Sequence, residues 1–122
     1  PCVSGRHWTL DTEICLYATR GKHTFNHPSP GNHASQILEA AIPHAGRFHP
    51  TQKPERIFEA LVAASTNVGD TVFDPFAGSG TTLIACESQH RTAACVEKSS
   101  EYCARLVDRW ERMTGGHGEP LS

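Results

Sequence analysis

The chain has 122 residues, of which 38% are apolar and 20% charged, and a formal net charge of −2. That length accommodates one core of ordinary domain size, about 100–150 residues, and not two. The near-neutral balance excludes a polybasic nucleic-acid clamp as the whole of the protein, and no apolar run approaches the ~18–20 residues that cross a bilayer.

The average conceals an asymmetry. Residues 1–56 carry a net charge of +2 and six of the eight histidines, whereas residues 57–122 carry −4. The basic, histidine-rich half suits an anionic partner; the acidic half reads as an ordinary α/β module. Pro1 to Leu10 has neither a basic start nor an apolar stretch, so no signal peptide is expected, and a first residue other than Met is expected of a fragment. The cysteines, Cys2, Cys15, Cys86, Cys95 and Cys103, are odd in number and contain no C-x-x-C. The last four lie in apolar patterns, which predicts buried thiols in a reducing compartment. No metal site is expected: His23 and His27 are four apart, but Pro28 interrupts a helix there.

Glu13–Thr19 is a short apolar run closed by Arg20-Gly21-Lys22, and predicts a strand and turn. Asn26–Asn32 is rich in turn formers. Ile37–Ile42 predicts a brief helix ending near Pro43. From Pro54 the pattern sharpens. Proline suits a first helical turn, and Ile57, Phe58, Leu61, Val62 and Ser65 keep helical spacing, so 54–66 predicts an amphipathic helix. Asn67–Asp70 predicts a turn, Thr71–Phe73 a buried strand, Gly78-Ser79-Gly80 a tight loop, and Thr81–Gln89 a helix with Leu83 and Ile84 inward. Arg91–Val96 predicts a second strand, and Ser99 or Ser100 caps a last helix with apolar Tyr102, Cys103, Leu106, Val107, Trp110 and Met113, stopped at Gly115-Gly116. A frayed tail follows. The wiring is that of a nucleotide-binding α/β half-fold, with parallel strands and a right-handed crossover.

Chemistry concentrates in Phe73-Asp74-Pro75-Phe76-Ala77-Gly78-Ser79-Gly80-Thr81-Thr82. Glycines at a strand's C-terminal end let backbone approach a ligand, and the next helix presents free N–H groups and a positive dipole end. Glu97 ends the following strand, where a carboxylate can accept from both ribose hydroxyls. A dinucleotide fingerprint wants a small residue where Leu83 stands. Asp74, just before the loop, repels a pyrophosphate but suits a ligand bearing an ammonium. These charges favour S-adenosylmethionine over a nicotinamide cofactor.

Phe73–Thr82 resembles the donor-binding motif of the DNA amino methyltransferases, which methylate adenine N6 or cytosine N4. His49-Pro50-Thr51-Gln52-Lys53-Pro54 is similar to that family's second cofactor motif, in the permuted order that puts it before the glycine loop. Glu101-Tyr102, Arg109-Trp110 and Thr114-Gly115 resemble the C-terminal helix of the group, often phage or prophage encoded; Glu13–Lys22 resembles the strand before its target-recognition region.

The resemblance implies a Rossmann-like α/β methyltransferase fold, incomplete here. It implies a possible recognition segment at 1–48, an S-adenosylmethionine-binding unit at 49–116 and a tail at 117–122. Asp74, Phe76, Gly78, Gly80 and Thr81 are expected around the methionine and loop, Glu97 on the ribose, and Thr51, Gln52 and Lys53 near the methionine end. Arg20, Lys22 and Arg47 are candidate phosphate contacts. The family's catalytic motif, (Asp/Asn/Ser)-Pro-Pro-(Tyr/Phe/Trp), has no match, since no Pro-Pro occurs. In the permuted order it lies before residue 1, so an N-terminal half or a catalytic subunit is the expected partner, with DNA. The implied setting is the cytoplasm of a bacterial or phage-infected cell and a restriction-modification role. A non-catalytic methyltransferase-like module and a fragment of a nicotinamide-dependent oxidoreductase are the alternatives.

Overall fold

A computed structural model describes residues 12–27, 37–41 and 52–119. Helix α1 spans Glu55–Ser65, β1 Thr71–Asp74, α2 Thr81–Ser88, β2 Thr92–Cys95 and α3 Ser100–Thr114. Each lies within a residue or two of its expected bounds.

Pro54 enters α1 with φ −63°, already helical in that dihedral, and Glu55 places a carboxylate against the positive end of the helix dipole. At the other end Thr66 turns extended, and its N–H and hydroxyl both donate to Val62 O, at 3.1 and 2.6 Å. The remaining terminal carbonyls are met from afar. Asn26 Nδ2 donates to Ala63 O at 3.1 Å and to Thr66 O at 2.7 Å, and Arg91 donates to Thr66 O at 2.7 Å. Helix ends leave such carbonyls without intrahelical partners, so these donors replace water there.

The strands pair in parallel with Thr71 opposite Thr92 and Asp74 opposite Cys95. Val72, Asp74, Ala93 and Cys95 point to a half-buried face, Thr71, Phe73, Thr92 and Ala94 to an exposed one. The covered face carries the core: Val62 of α1 meets Ala85 and Cys86 of α2, with Phe58, Val72 and Ala93 against them. Helix α2 buries Thr81, Thr82, Ile84, Ala85 and Cys86, most of its circumference.

Helix α3 opens on Ser99, whose hydroxyl accepts from Tyr102 N–H, and closes on Gly115 at φ 71°. Trp110 Nε1 donates to Glu87 at 2.9 Å, tying α3 to the end of α2. Beyond the helix the chain folds back: Gly118 N–H donates to Glu111 Oε1 at 2.7 Å, and His117 Nδ1 lies 3.0 Å from the same oxygen. Glu111 thus touches the first residues of the expected tail. No helix among the described residues is long and apolar enough to cross a membrane.

Three further expectations are corrected. Residues 13–19 form no strand; Ile14 and Leu16 are 94% and 91% exposed. A strand is stabilised by a neighbour's hydrogen bonds and by burial of one face, and among the described residues this run has neither. Ile37–Ala41 is not helical, since one isolated turn cannot repay the cost of nucleation. Cys15 is exposed, whereas Cys86 is buried and Cys95 and Cys103 are half-buried; all four are free thiols. The expected turn at 28–32 lies outside the described residues.

Candidate functional site

The site assembles where β1 runs into α2. Asp74, the last residue of β1, turns its carboxylate back over the loop: Oδ1 accepts Phe76 N–H at 2.9 Å and Oδ2 accepts the Thr82 hydroxyl. The loop is also stitched to the neighbouring strand, with Val96 N–H donating to Asp74 O and Ala77 N–H to Val96 O, both at 2.9 Å. Gly78 and Gly80 have φ of 51° and 73°. The loop thus turns through left-handed backbone twice, a conformation glycine adopts at least cost.

Glu97 stands across from the loop. Its Oε2 accepts Gly78 N–H at 2.8 Å and its Oε1 accepts Ser99 N–H at 2.9 Å. The carboxylate is thereby fixed between the glycine loop and the start of α3. Phe76, in the same loop, is 87% exposed.

The segment before α1 reaches the same corner. Thr81 Oγ1 lies 3.1 Å from Ser79 Oγ and 3.5 Å from Lys53 O. Gln52 Oε1 is buried and has no hydrogen-bond partner among the described residues. A buried acceptor left in this state costs about 1–3 kcal/mol, so it favours a donor-bearing occupant. The Lys53 ammonium is paired with both Glu13 carboxylate oxygens. That pair is substantially exposed, hence worth only about 0–1 kcal/mol and open to exchange for another anion.

Of the expected site residues, Gln52, Lys53, Asp74, Phe76, Gly78, Gly80, Thr81 and Glu97 thus converge on or beside one corner. Gly80 has an additional role: a Cβ there would stand 2.7 Å from Leu106 Cγ, so its first neighbour is α3. Thr51 and Arg47 lie outside the described residues. Arg20 and Lys22 are exposed and make no hydrogen bond or ion pair with the loop. Their segment is held by Glu13 at Lys53 and by Asn26 at the opposite end of α1.

Sequence reasoning missed three participants: Thr82, which anchors Asp74; Ser99, whose N–H orients Glu97; and Arg109. The Arg109 guanidinium donates to Ser79 O at 2.7 Å and to Glu55 at 2.6 Å. Only the doubled threonine after the second glycine signals any of these in the sequence.

Burial pushes the Cys95 thiol up to about 11, aided by the nearby Asp74 charge. Burial likewise raises Cys86, although Arg91 opposes it. Both are therefore neutral thiols beneath the corner at physiological pH.

A glycine loop between strand and helix, faced by an acidic side chain at the end of the adjacent parallel strand, is the ligand corner of a Rossmann-like nucleotide-binding fold. The family described as DNA methylase matches residues 8–108, and the chain belongs to it. It is 32% identical over 116 residues to the type II methyltransferase M2.DpnII of Streptococcus pneumoniae, an overlap of 84% of this chain and 43% of that protein. It is 48% identical over 74 residues to the DNA adenine methyltransferase YhdJ of Escherichia coli K12, covering 61% and 25%. Among solved structures, the M1.HpyAVI–SAM complex superposes with a TM-score of 0.73 at 32% identity, over 89% of this chain and 55% of that one. The chain spans less than half the length of these two curated relatives. Family membership displaces the nicotinamide-dependent reading.

Proposed function

We propose that the chain is the donor-binding part of an S-adenosylmethionine-dependent DNA methyltransferase acting on adenine N6 or cytosine N4. The observation that carries this is the corner itself, where the Glu97 carboxylate and the glycine loop are locked together at Gly78. The solved complex of M1.HpyAVI with its methyl donor, similar over most of this chain, supports the same reading.

Bound there, S-adenosylmethionine supplies a sulfonium methyl for transfer to an amine. Glu97 would accept the ribose hydroxyls, held in place by Gly78 and Ser99. Asp74 would face the ammonium while the hydrogen bonds it accepts from Phe76 and Thr82 keep it aimed. The orphaned Gln52 Oε1 would find its donor in the same ammonium. Lys53 would exchange Glu13 for the methionine carboxylate, with Thr51 and Thr81 beside it, and Gly78 and Gly80 would admit the ligand to the backbone. Phe76 would cover it from the solvent side. Arg20, Lys22 and Arg47 would contact DNA phosphates, which contribute affinity and salt dependence but no sequence choice. The base-handling Pro-Pro motif would come from an N-terminal part of the enzyme or a partner subunit; residues 49–116 form the donor unit and 1–48 the recognition side.

Equilibrium dialysis with labelled S-adenosylmethionine tests this. Saturable binding, lost on Glu97→Ala, is expected. Absence of binding by the folded chain, persisting when the N-terminal half of a family member is supplied, overturns it. No methyl transfer to DNA is expected from the chain alone.

A further inference from the structure

We infer that Arg109 is a positioning residue for the donor site, clamping the glycine loop to the segment that opens α1. The inference deepens the reading above and rests on it for the ligand, though not for the clamp. Two parts of the corner come from distant sequence: Gln52-Lys53 before α1 and residues 78–81 after β1. A single direct link joins them among the described residues, the 3.5 Å contact of Thr81 Oγ1 with Lys53 O. That is the outer limit of a hydrogen bond.

Arg109 supplies the stronger connection. Its side chain is 15% exposed, and its guanidinium holds the Ser79 carbonyl in the loop with one nitrogen and the Glu55 carboxylate in the first turn of α1 with another. The planar fork fixes both partners at once, which a lysine ammonium does less well. Helix α3 itself is fixed by Ser99, by Trp110 on Glu87 and by Leu106 against Gly80. The clamp therefore transmits the placement of α3 to both halves of the site. Arg109 works through the loop backbone and does not touch the ligand.

The test uses the whole chain and reads two quantities, the dissociation constant for S-adenosylmethionine by calorimetry and amide hydrogen exchange at Ser79–Thr81. Arg109→Met is expected to weaken binding about tenfold and to accelerate exchange at those amides. Glu55→Gln should act in the same direction but less. The double variant should be no worse than Arg109→Met, since both remove one clamp. Arg109→Lys should restore part of the affinity. A folded Arg109→Met with unchanged affinity and unchanged loop exchange overturns the proposal, as does strict additivity with Glu55→Gln. If Arg109→Met does not fold, Arg109→Lys carries the test, and wild-type exchange at Ser79–Thr81 in that variant overturns it. If the unmutated chain binds no S-adenosylmethionine even with the N-terminal half of a family member supplied, the functional reading fails, while the exchange comparison still decides the clamp.

Discussion

Residues 53–118 and residues 12–27 obey the same chemistry with opposite outcomes. In the first region each element is joined to another: α1 and α2 share a core with one face of the sheet, whose other face is exposed, and α3 holds the loop and the end of α2. The second carries as strong an apolar run, with Ile14, Leu16 and Tyr17, yet those side chains remain in solvent. It is attached through polar contacts at its ends, with one aromatic cluster of Tyr17, Phe25 and His27 between. An apolar pattern is thus a request for burial, answered only where a second element offers a complementary face.

The largest expected effect breaks the well-covered region at its tightest point. Gly80→Ala would put a Cβ 2.7 Å from Leu106 Cγ at a φ of 73°. Left-handed strain and overpacking together should cost about 2–4 kcal/mol. Urea unfolding followed by circular dichroism measures this, and Leu106→Ala in the same chain should recover the packing part alone. Thr82→Val comes next. It keeps the shape but removes the hydroxyl on Asp74 Oδ2, leaving a part-buried carboxylate oxygen short of a donor, at about 1–3 kcal/mol.

The pH dependence separates the regions by a different route. The Cys95 thiol is held up to about 11 in the fold, above its ordinary 9.0. A raised thiol favours the protonated form, so its contribution is fully present below pH ~9, and stability falls as pH rises from there through about 11. Urea midpoints at pH 8 and 10.5 should show that fall, and Cys95→Ala should reduce it. In native buffer at pH 8, iodoacetamide should label exposed Cys15 well before Cys86 or Cys95.

Much of the α/β unit was legible because its signals are local. Pro54 and the spacing from Ile57 mark α1, Ser99 and Gly115 bracket α3, and Gly78 and Gly80 mark the turn. Helix α2 shows why periodicity has limits: buried nearly all round, it has no polar face to betray its phase, and its glycine loop identified it instead. The site residues with local motifs were equally readable. Arg109 was not, since its partners at Ser79 and Glu55 are 30 and 54 residues away and the role depends on how α3 lies. The run at 13–19 misled for the converse reason: strand formation depends on a neighbour, about which a short alternating pattern carries no information.

The smallest effects sharpen the contrast from the other side. Asn26→Ala removes an exposed side chain's donors from two carbonyls at the half-buried end of α1, so the loss should stay near ~1 kcal/mol. Arg91 still donates to Thr66 O and limits it further. Glu13→Gln breaks the exposed pair with Lys53 and should cost less than about 0.5 kcal/mol. The two together should free residues 13–23, with Thr24 and the Asn26 N–H still held by Asn67 and Ala64 O, read as faster proteolysis within that segment, while the unfolding midpoint of the α/β unit barely moves. If the midpoint instead drops as far as in Gly80→Ala, then the exposed segment is part of the cooperative core, and the division between a self-covered unit and a tethered strand-like run is wrong.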